Sequence, residues 1–341
     1  MNKKCVRGYL TLSLVLIALL LTSLFVGNYK AMFPSNVVKV LSNMVLGTEF
    51  SVPNTISAIV LNIRIPRTLS AIVIGAALAA AGCCYQEVFK NDLASPDILG
   101  VSSGACVGAA IAIIAGASAN MIQLGAFATG IITVIIVYLL SYVFKGNRTM
   151  SLLISGMLIS GLMNSILGLI KYMANQETQL PSIVYWTMGD ISAISMEQLG
   201  SVVVPMAICF VVLFIFRWRL NYFNLSDNEA ISMGINVTLL RGIVIVSSTV
   251  LVGCAVSIAG TISWIGLVIP HLIKTIYGKN TRYSYPFSCI AGASFLLGID
   301  IIGRLISTSE IPLSILTGIV GLIIFFGCLF LRRIKQYDTG I

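Results

Sequence analysis

The sequence predicts an all-α polytopic membrane protein of about ten transmembrane helices, forming a single membrane domain over residues 1–341. Three observations predict it. Hydrophobic residues make up 57% of the chain and charged residues 10%, with a mean hydropathy of +0.99, whereas a soluble domain carries about 25% charge. The apolar runs are continuous rather than alternating, which excludes a β-barrel. No hydrophilic stretch is long enough to fold alone.

A basic start, MNKKCVR, precedes the apolar run Tyr9–Val26. This has the form of a signal peptide, but GNYKAMFP follows without a small-x-small cleavage site, so an uncleaved first span is expected. Residues 28–62, with Pro34, Glu49 and Pro53, read as a polar outer segment. Span 2 runs from R-I-P-R at Arg64–Arg67 to about Val88; its small-residue interior GAALAAAGCC allows close helix approach. Asn91, Asp92 and Pro96 make a short loop. Spans 3, 4 and 5 cover about 98–115, 120–144 and 150–173, with the basic loop KGNR before span 5. Residues 174–197 are mixed, and Tyr185 and Trp186 suit a membrane–water interface. Span 6 covers about 199–216, span 7 about 239–258 and span 8 about 261–277, with Pro270 expected to kink it. Span 9 covers about 286–306, and Pro312 opens span 10, which ends near Leu331.

Ten spans place both termini on the cytoplasmic side. The inner segments then hold Lys3, Lys4, Arg7, Lys90, Lys145, Arg148, Arg217, Arg219, Arg241, Lys274, Lys279, Arg282, Arg332, Arg333 and Lys335, leaving Lys30, Lys39, Arg64, Arg67, Lys171 and Arg304 outside. That asymmetry obeys the positive-inside rule. The net charge of +9 therefore marks orientation, and no nucleic-acid partner is expected. Cysteines 5, 83, 84, 106, 209, 254, 289 and 328 fall mostly in spans, with no C-x-x-C pair, and there is a single histidine, His271. Such cysteines act as small apolar packing residues. No metal site and no cofactor are expected.

The longest inner loop, 217–241, interrupts two apolar runs. Ser226 or Asp227 can cap a short helix, Glu229 suits its first turn, and Gly234 can end it. A short helix outside the membrane, held between two spans, can transmit force to a partner. The alternative is a solvated loop. Glu87, Lys171, Arg241, His271, Asp300 and Arg304 lie near span ends, so an ion relay at mid-membrane is not apparent. No Walker A pattern is present. A transporter of this composition needs an external motor. The rival readings are an ion-coupled secondary carrier and a non-transporting scaffold.

Three blocks then carry a family likeness. RIPRTLSAIVIGAALAAAGCCYQEVFKNDLASPDILGVSSGACVGA (64–109), AGTISWIGLVIPHLIK (259–274), and Asp300 and Arg304 followed by EIPLSILTG (310–318) occur in order. The chain resembles the FecCD-type permeases, the membrane subunits of importers for iron–siderophore complexes, haem and vitamin B12. Asp92 departs from the family's proline after Asn91, and Trp264 stands where phenylalanine is usual. The resemblance implies a vitamin-B12-permease-like, type II ABC importer fold in a bacterial cytoplasmic membrane. Its implied partners are a second copy or close paralogue, a cytoplasmic ABC ATPase dimer and an extracytoplasmic substrate-binding protein; a ferric-siderophore is the first-choice substrate. It implies docking of the binding protein on Arg64, Arg67 and Arg304, taken as exposed charges. Their alternative is interfacial anchoring, with Asp300 and Arg304 pairing at i,i+4. The resemblance also implies an ATPase coupling helix within Asn224–Val237, at Ser226, Asp227, Asn228, Glu229, Ala230, Met233, Gly234 and Ile235. It implies a cytoplasmic gate at Asn91, Leu93, Thr149 and Met150, positions that turn and cap chemistry would explain equally well. His271 is expected to be structural. No catalytic residue is expected, since hydrolysis belongs to the ATPase.

Overall fold

The computed structural model describes residues 3–27, 34–48, 50–144, 147–307 and 309–338. Lys30, Glu49 and Lys145 lie outside these residues, as do the side chains of Lys4, Asp227, Asn228, Arg332, Arg333 and Lys335. The chain forms α1 (Lys3–Phe25), α2 (Pro34–Leu46), α3 (Asn54–Ile59), α4 (Ile65–Val88), α5 (Val101–Ile114), α6 (Ala119–Leu140), α7 (Arg148–Met173), α8 (Gln179–Met188), α9 (Met196–Phe216), α10 (Asp227–Ser232), α11 (Val237–Ala259), α12 (Ile265–Tyr277), α13 (Thr281–Ile306) and α14 (Leu313–Asp338). No strand occurs among the described residues. Seven helical segments are long and apolar enough to cross a membrane, and α5, α12 and the first part of α14 are shorter apolar helices. Together they match the expected ten.

Three boundaries differ from the sequence expectation. Residues 54–88 form a continuous helical segment of 35 residues, because α3 passes through a π turn at Val60–Arg64 into α4. The R-I-P-R block therefore lies inside a helix rather than opening one. Pro66 follows directly on the π turn, so its missing N–H falls where the regular α-helical ladder is already interrupted. The segment read as polar contains α2, and the mixed segment 174–197 contains α8, a helix of 10 residues. α2 carries Ser35, Asn36, Lys39, Ser42 and Asn43 within its 13 residues, and neither helix adds to the ten apolar ones.

α4 is the axis of the bundle. α13, α11 and α12 pack along it, with α9 and α1 beyond. Within lipid, helix association rests on close packing rather than on water expulsion, and the glycines of α4 permit that approach. A Cβ on Gly82 would lie 1.8 Å from the Gly266 carbonyl oxygen of α12, and one on Gly75 would lie 2.4 Å from the Gly292 carbonyl oxygen of α13. Cys83 and Cys84 are fully buried on the same helix. Tyr9, Phe287 and Tyr277 stack with centroids 3.9 and 4.2 Å apart, joining α1, α13 and α12. The outer faces of α6, α7 and α9 expose Leu, Ile and Met side chains, as helices facing lipid or a second subunit do.

The alternating chain direction sorts the connections to two ends. One end gathers residues 89–95, 217–236 and 278–280. The other gathers residues 26–27, α8, the 260–264 turn and residues 309–312.

Candidate functional site

Both ends are organised by charged side chains that lie far apart in sequence. At the α8 end, Arg67 of α4 donates through Nε to Asp300 of α13 at 2.7 Å, and through Nη1 and Nη2 to both oxygens of Glu310 at 2.8 Å each. Arg304 reaches Asp300 at 2.7 Å, one turn away on its own helix. It also donates to the Ser23 and Val26 carbonyls at 3.0 Å and to the Ser23 hydroxyl at 2.6 Å. Arg64 donates to the Leu24 carbonyl. The last carbonyls of α1 have no partner within their helix, and these guanidinium groups supply it. Tyr185 of α8 donates to the Glu310 backbone carbonyl at 2.9 Å, tying α8 to the same loop. Glu310 is held below its usual carboxylate value, first by the Arg67 hydrogen bonds.

Arg64, Arg67 and Arg304 lie in one cluster, but they are not exposed charges. Their exposures are 5%, 8% and 8%. The reason is physical: a buried guanidinium must spend its donors on protein acceptors, and here two carboxylates and a helix terminus provide them. The exposed charged group in the cluster is the Glu310 side chain, at 45%.

At the other end, Lys274 of α12 pairs with Glu87 of α4 at 2.7 Å, with both side chains buried. Asn224 donates to the second oxygen of Glu87 at 3.3 Å, linking α4 to the loop before α10. Lys90 donates to the Leu225 carbonyl at 2.7 Å. Asp92 lies 3.7 Å from Lys274 and accepts from Lys279 at 2.7 Å. Burial would raise the Asp92 carboxyl, but Lys279 and Lys274 outweigh it and hold the group below its usual value. Asn221 donates to the Asn280 side chain at 3.2 Å and accepts from the Thr281 backbone at 3.0 Å.

α10 stands on this platform. Ser226, not Asp227, is its N-cap: the Ser226 hydroxyl accepts from the Glu229 N–H and the Glu229 carboxylate accepts from the Ser226 N–H, a reciprocal capping box. That backbone bond, then the hydroxyl, lowers the Glu229 carboxyl. Ala230 is buried and Ile235 partly so, while Ile231 and Met233 are 61% and 65% exposed. Gly234 ends the helix at φ +76°, a conformation glycine adopts without strain. The helix therefore has an anchored face and a projecting one.

The gate residues are less closely joined. Asn91 accepts from the Leu93 N–H at 2.9 Å and shapes its own turn, and Leu93 is exposed. Thr149 is buried in the first turn of α7, where its N–H donates to the capping side chain of Asn147, and Met150 is exposed beside it. No hydrogen bond joins the two pairs among the described residues. They are connected through the 96–99 turn, whose Ile98 carbonyl packs against Gly156 of α7. His271 is buried near Phe325, with ring centroids 5.5 Å apart. Sequence reasoning did not assign site roles to Glu87, Lys274, Lys279, Ser23 and Glu310. The available signal was that Glu87, Lys274, Lys279 and Glu310 stand at the ends of apolar runs, but nothing local in the sequence pairs them.

A model of the FecCD transport family matches residues 15–332. A molybdate import system permease protein of Haemophilus influenzae is 35% identical over 93% of this chain and 92% of its own. A probable iron chelatin transport system permease protein of Helicobacter pylori is 36% identical over 82% of this chain and 85% of its own. A solved structure described as the inward-facing conformation of a transporter assigned to the metal-chelate ABC type superposes with a TM-score of 0.84 at 33% identity, covering 94% of this chain and 98% of that one.

Proposed function

Because this chain belongs to the FecCD transport family, and so is a multi-pass ABC importer permease, we propose that it forms the translocation pathway for ferric-siderophore complexes as a homodimer or with a close paralogue. Two cytoplasmic ATPase subunits drive the cycle, and an external binding protein delivers the substrate. The observation that carries the coupling is the connected path from α10 through Asn224 and Glu87 into α4 and, through Lys274, into α12. In this reading α10 lies in the cytoplasm and meets the ATPase through Ile231 and Met233. Motion at α10 is passed to the axis helix and to the turn around Asn91 and Leu93, opening or shutting the gate with Thr149 and Met150. The outer arginine cluster forms the face on which the binding protein docks, with Glu310 as its exposed charge and the arginines fixing the loops around it. The permease itself performs no covalent chemistry.

A second substrate reading is molybdate, supported by the Haemophilus relative with its coverage of 93% of this chain. Uptake by cells lacking the gene separates the two. Labelled iron is supplied as ferric siderophore and as haem, alongside labelled molybdate and cobalamin. Selective loss of siderophore uptake, restored by the gene, supports the first reading. Selective loss of another substrate replaces it.

A further inference from the structure

We propose that the cavity between α9, the 219–224 turn and the start of α11 is a binding site for an anionic phospholipid of the leaflet on the α10 side. This rests on the membrane assignment and on the geometry below, not on the proposed substrate. The cavity has a volume of about 290 Å³. Its apolar wall includes Phe216, Leu239 and Ile243. Phe216 is the last residue of α9, and Leu239 lies in the first turn of α11. The cavity thus sits where two spans give way to the polar loop, at the depth of lipid headgroups. Leu239 is 60% exposed, leaving an apolar track for an acyl chain.

The charge selects the headgroup. Arg219 is the charged residue of the lining, and no acidic residue lines the cavity among the described residues. Its guanidinium carbon lies 5.1 Å from the ring centroids of both Phe216 and Trp218, and no carboxylate pairs with it among the described residues. Aromatic contacts hold the plane of a guanidinium while leaving its N–H edge for phosphate oxygens. Trp218 is 47% exposed and meets Tyr222 edge to face at 6.0 Å, the amphipathic ring pair that membrane interfaces favour. Zwitterionic lipid offers the same phosphate but carries a compensating cation, so net negative charge is the discriminating feature.

The opposite wall is Gly234, Ile235 and Asn236, the link between α10 and α11. A lipid in the cavity would touch both this link and α9, and would bias the angle at which α10 leaves the bundle.

The test uses the permease assembled with its ATPase in nanodiscs. Brominated phosphatidylglycerol and brominated phosphatidylcholine are titrated separately into a phosphatidylcholine bilayer. The tryptophan quenching due to Trp218 is taken as the difference between wild type and Trp218→Phe. The expected result is half-maximal quenching by the glycerol lipid at about a fivefold lower mole fraction, the preference one arginine provides at a charged leaflet. Arg219→Gln should abolish that preference, and Arg219→Lys should keep most of it. Should Arg219→Gln fail to assemble, the wild-type preference and its weakening by added salt decide the matter. Equal quenching by the two lipids overturns the proposal. So does an undiminished preference in a folded Arg219→Gln complex, or a preference present in the permease alone and lost when the ATPase is bound, which would assign the cavity to a protein contact.

Discussion

The two charged clusters use opposite chemistry. The α8 end is tied by arginines, whose rigid forks make several bonds at once: Arg67 engages Asp300 and both oxygens of Glu310, and Arg304 engages one carboxylate, two carbonyls and a hydroxyl. The α10 end is tied by lysines, each a point charge on a flexible stem, and Lys279 is 70% exposed. An arginine network loses several oriented bonds when it shifts by an ångström, whereas a lysine can follow its partner or change to another. The comparison teaches that the α8 end is built to keep one geometry and the α10 end to exchange partners, as the coupling role proposed for α10 would require.

The largest effect should come from breaking the arginine network at the α8 end. Asp300→Ala leaves Arg67 and Arg304 buried without their shared acid, and should cost about 3–5 kcal/mol, read as loss of folded yield and a lower thermal midpoint in detergent. A substitution at the α10 end sharpens the comparison. Lys274→Met leaves Glu87 buried without its cation and should cost about 3 kcal/mol, but Glu87→Gln with Lys274→Met should recover most of that loss, because no lone buried charge remains. If Asp300→Ala proved milder than Lys274→Met, the contrast between a fixed and an exchangeable end would fail.

Helix α10 comes next. Ser226→Ala removes one half of its capping box and should cost about 1 kcal/mol of local helix stability, visible as faster amide exchange at α10 and reduced coupling of ATP hydrolysis to transport. Acid offers a reversible probe of the α8 end. The Glu310 carboxyl is lowered in the folded protein, so its contribution is present above its unfolded value of about 4.3 and is lost as pH falls through the lowered value. Loosening of the 307–312 loop should therefore begin below about pH 4 and be absent in Glu310→Gln, as exchange measurements can read. The smallest effect is at Lys279: Lys279→Ala should change stability by less than about 1 kcal/mol, and the difference should vanish in high salt.

Much of the architecture was legible in the sequence. Long apolar runs and the basic residues at their ends predicted the spans, because a membrane demands both length and charge asymmetry. The small residues of GAALAAAGCC forecast the close contacts that Gly75 and Gly82 make with α13 and α12. Ser226, Glu229 and Gly234 forecast a short helix because capping is local chemistry. What could not be read was long-range pairing. Arg67 and Glu310 are separated by 243 positions and Glu87 and Lys274 by 187, and no periodicity encodes which of several charges meets which. That is why three arginines expected at the surface are buried. α2 and α8 were missed for another reason: in a chain this apolar, short helices with mixed composition look like loops. The motif blocks do not name a substrate: relatives covered by most of this chain include both a molybdate and a probable iron chelatin permease.

The most direct measurement is uptake into proteoliposomes containing the permease and its ATPase, with the loaded binding protein outside and ATP enclosed. The account predicts substrate accumulation that requires ATP and the binding protein, survives collapse of proton and sodium gradients, and falls with the Ser226→Ala capping variant. Accumulation that proceeds without ATP and disappears when the gradients are collapsed would contradict it.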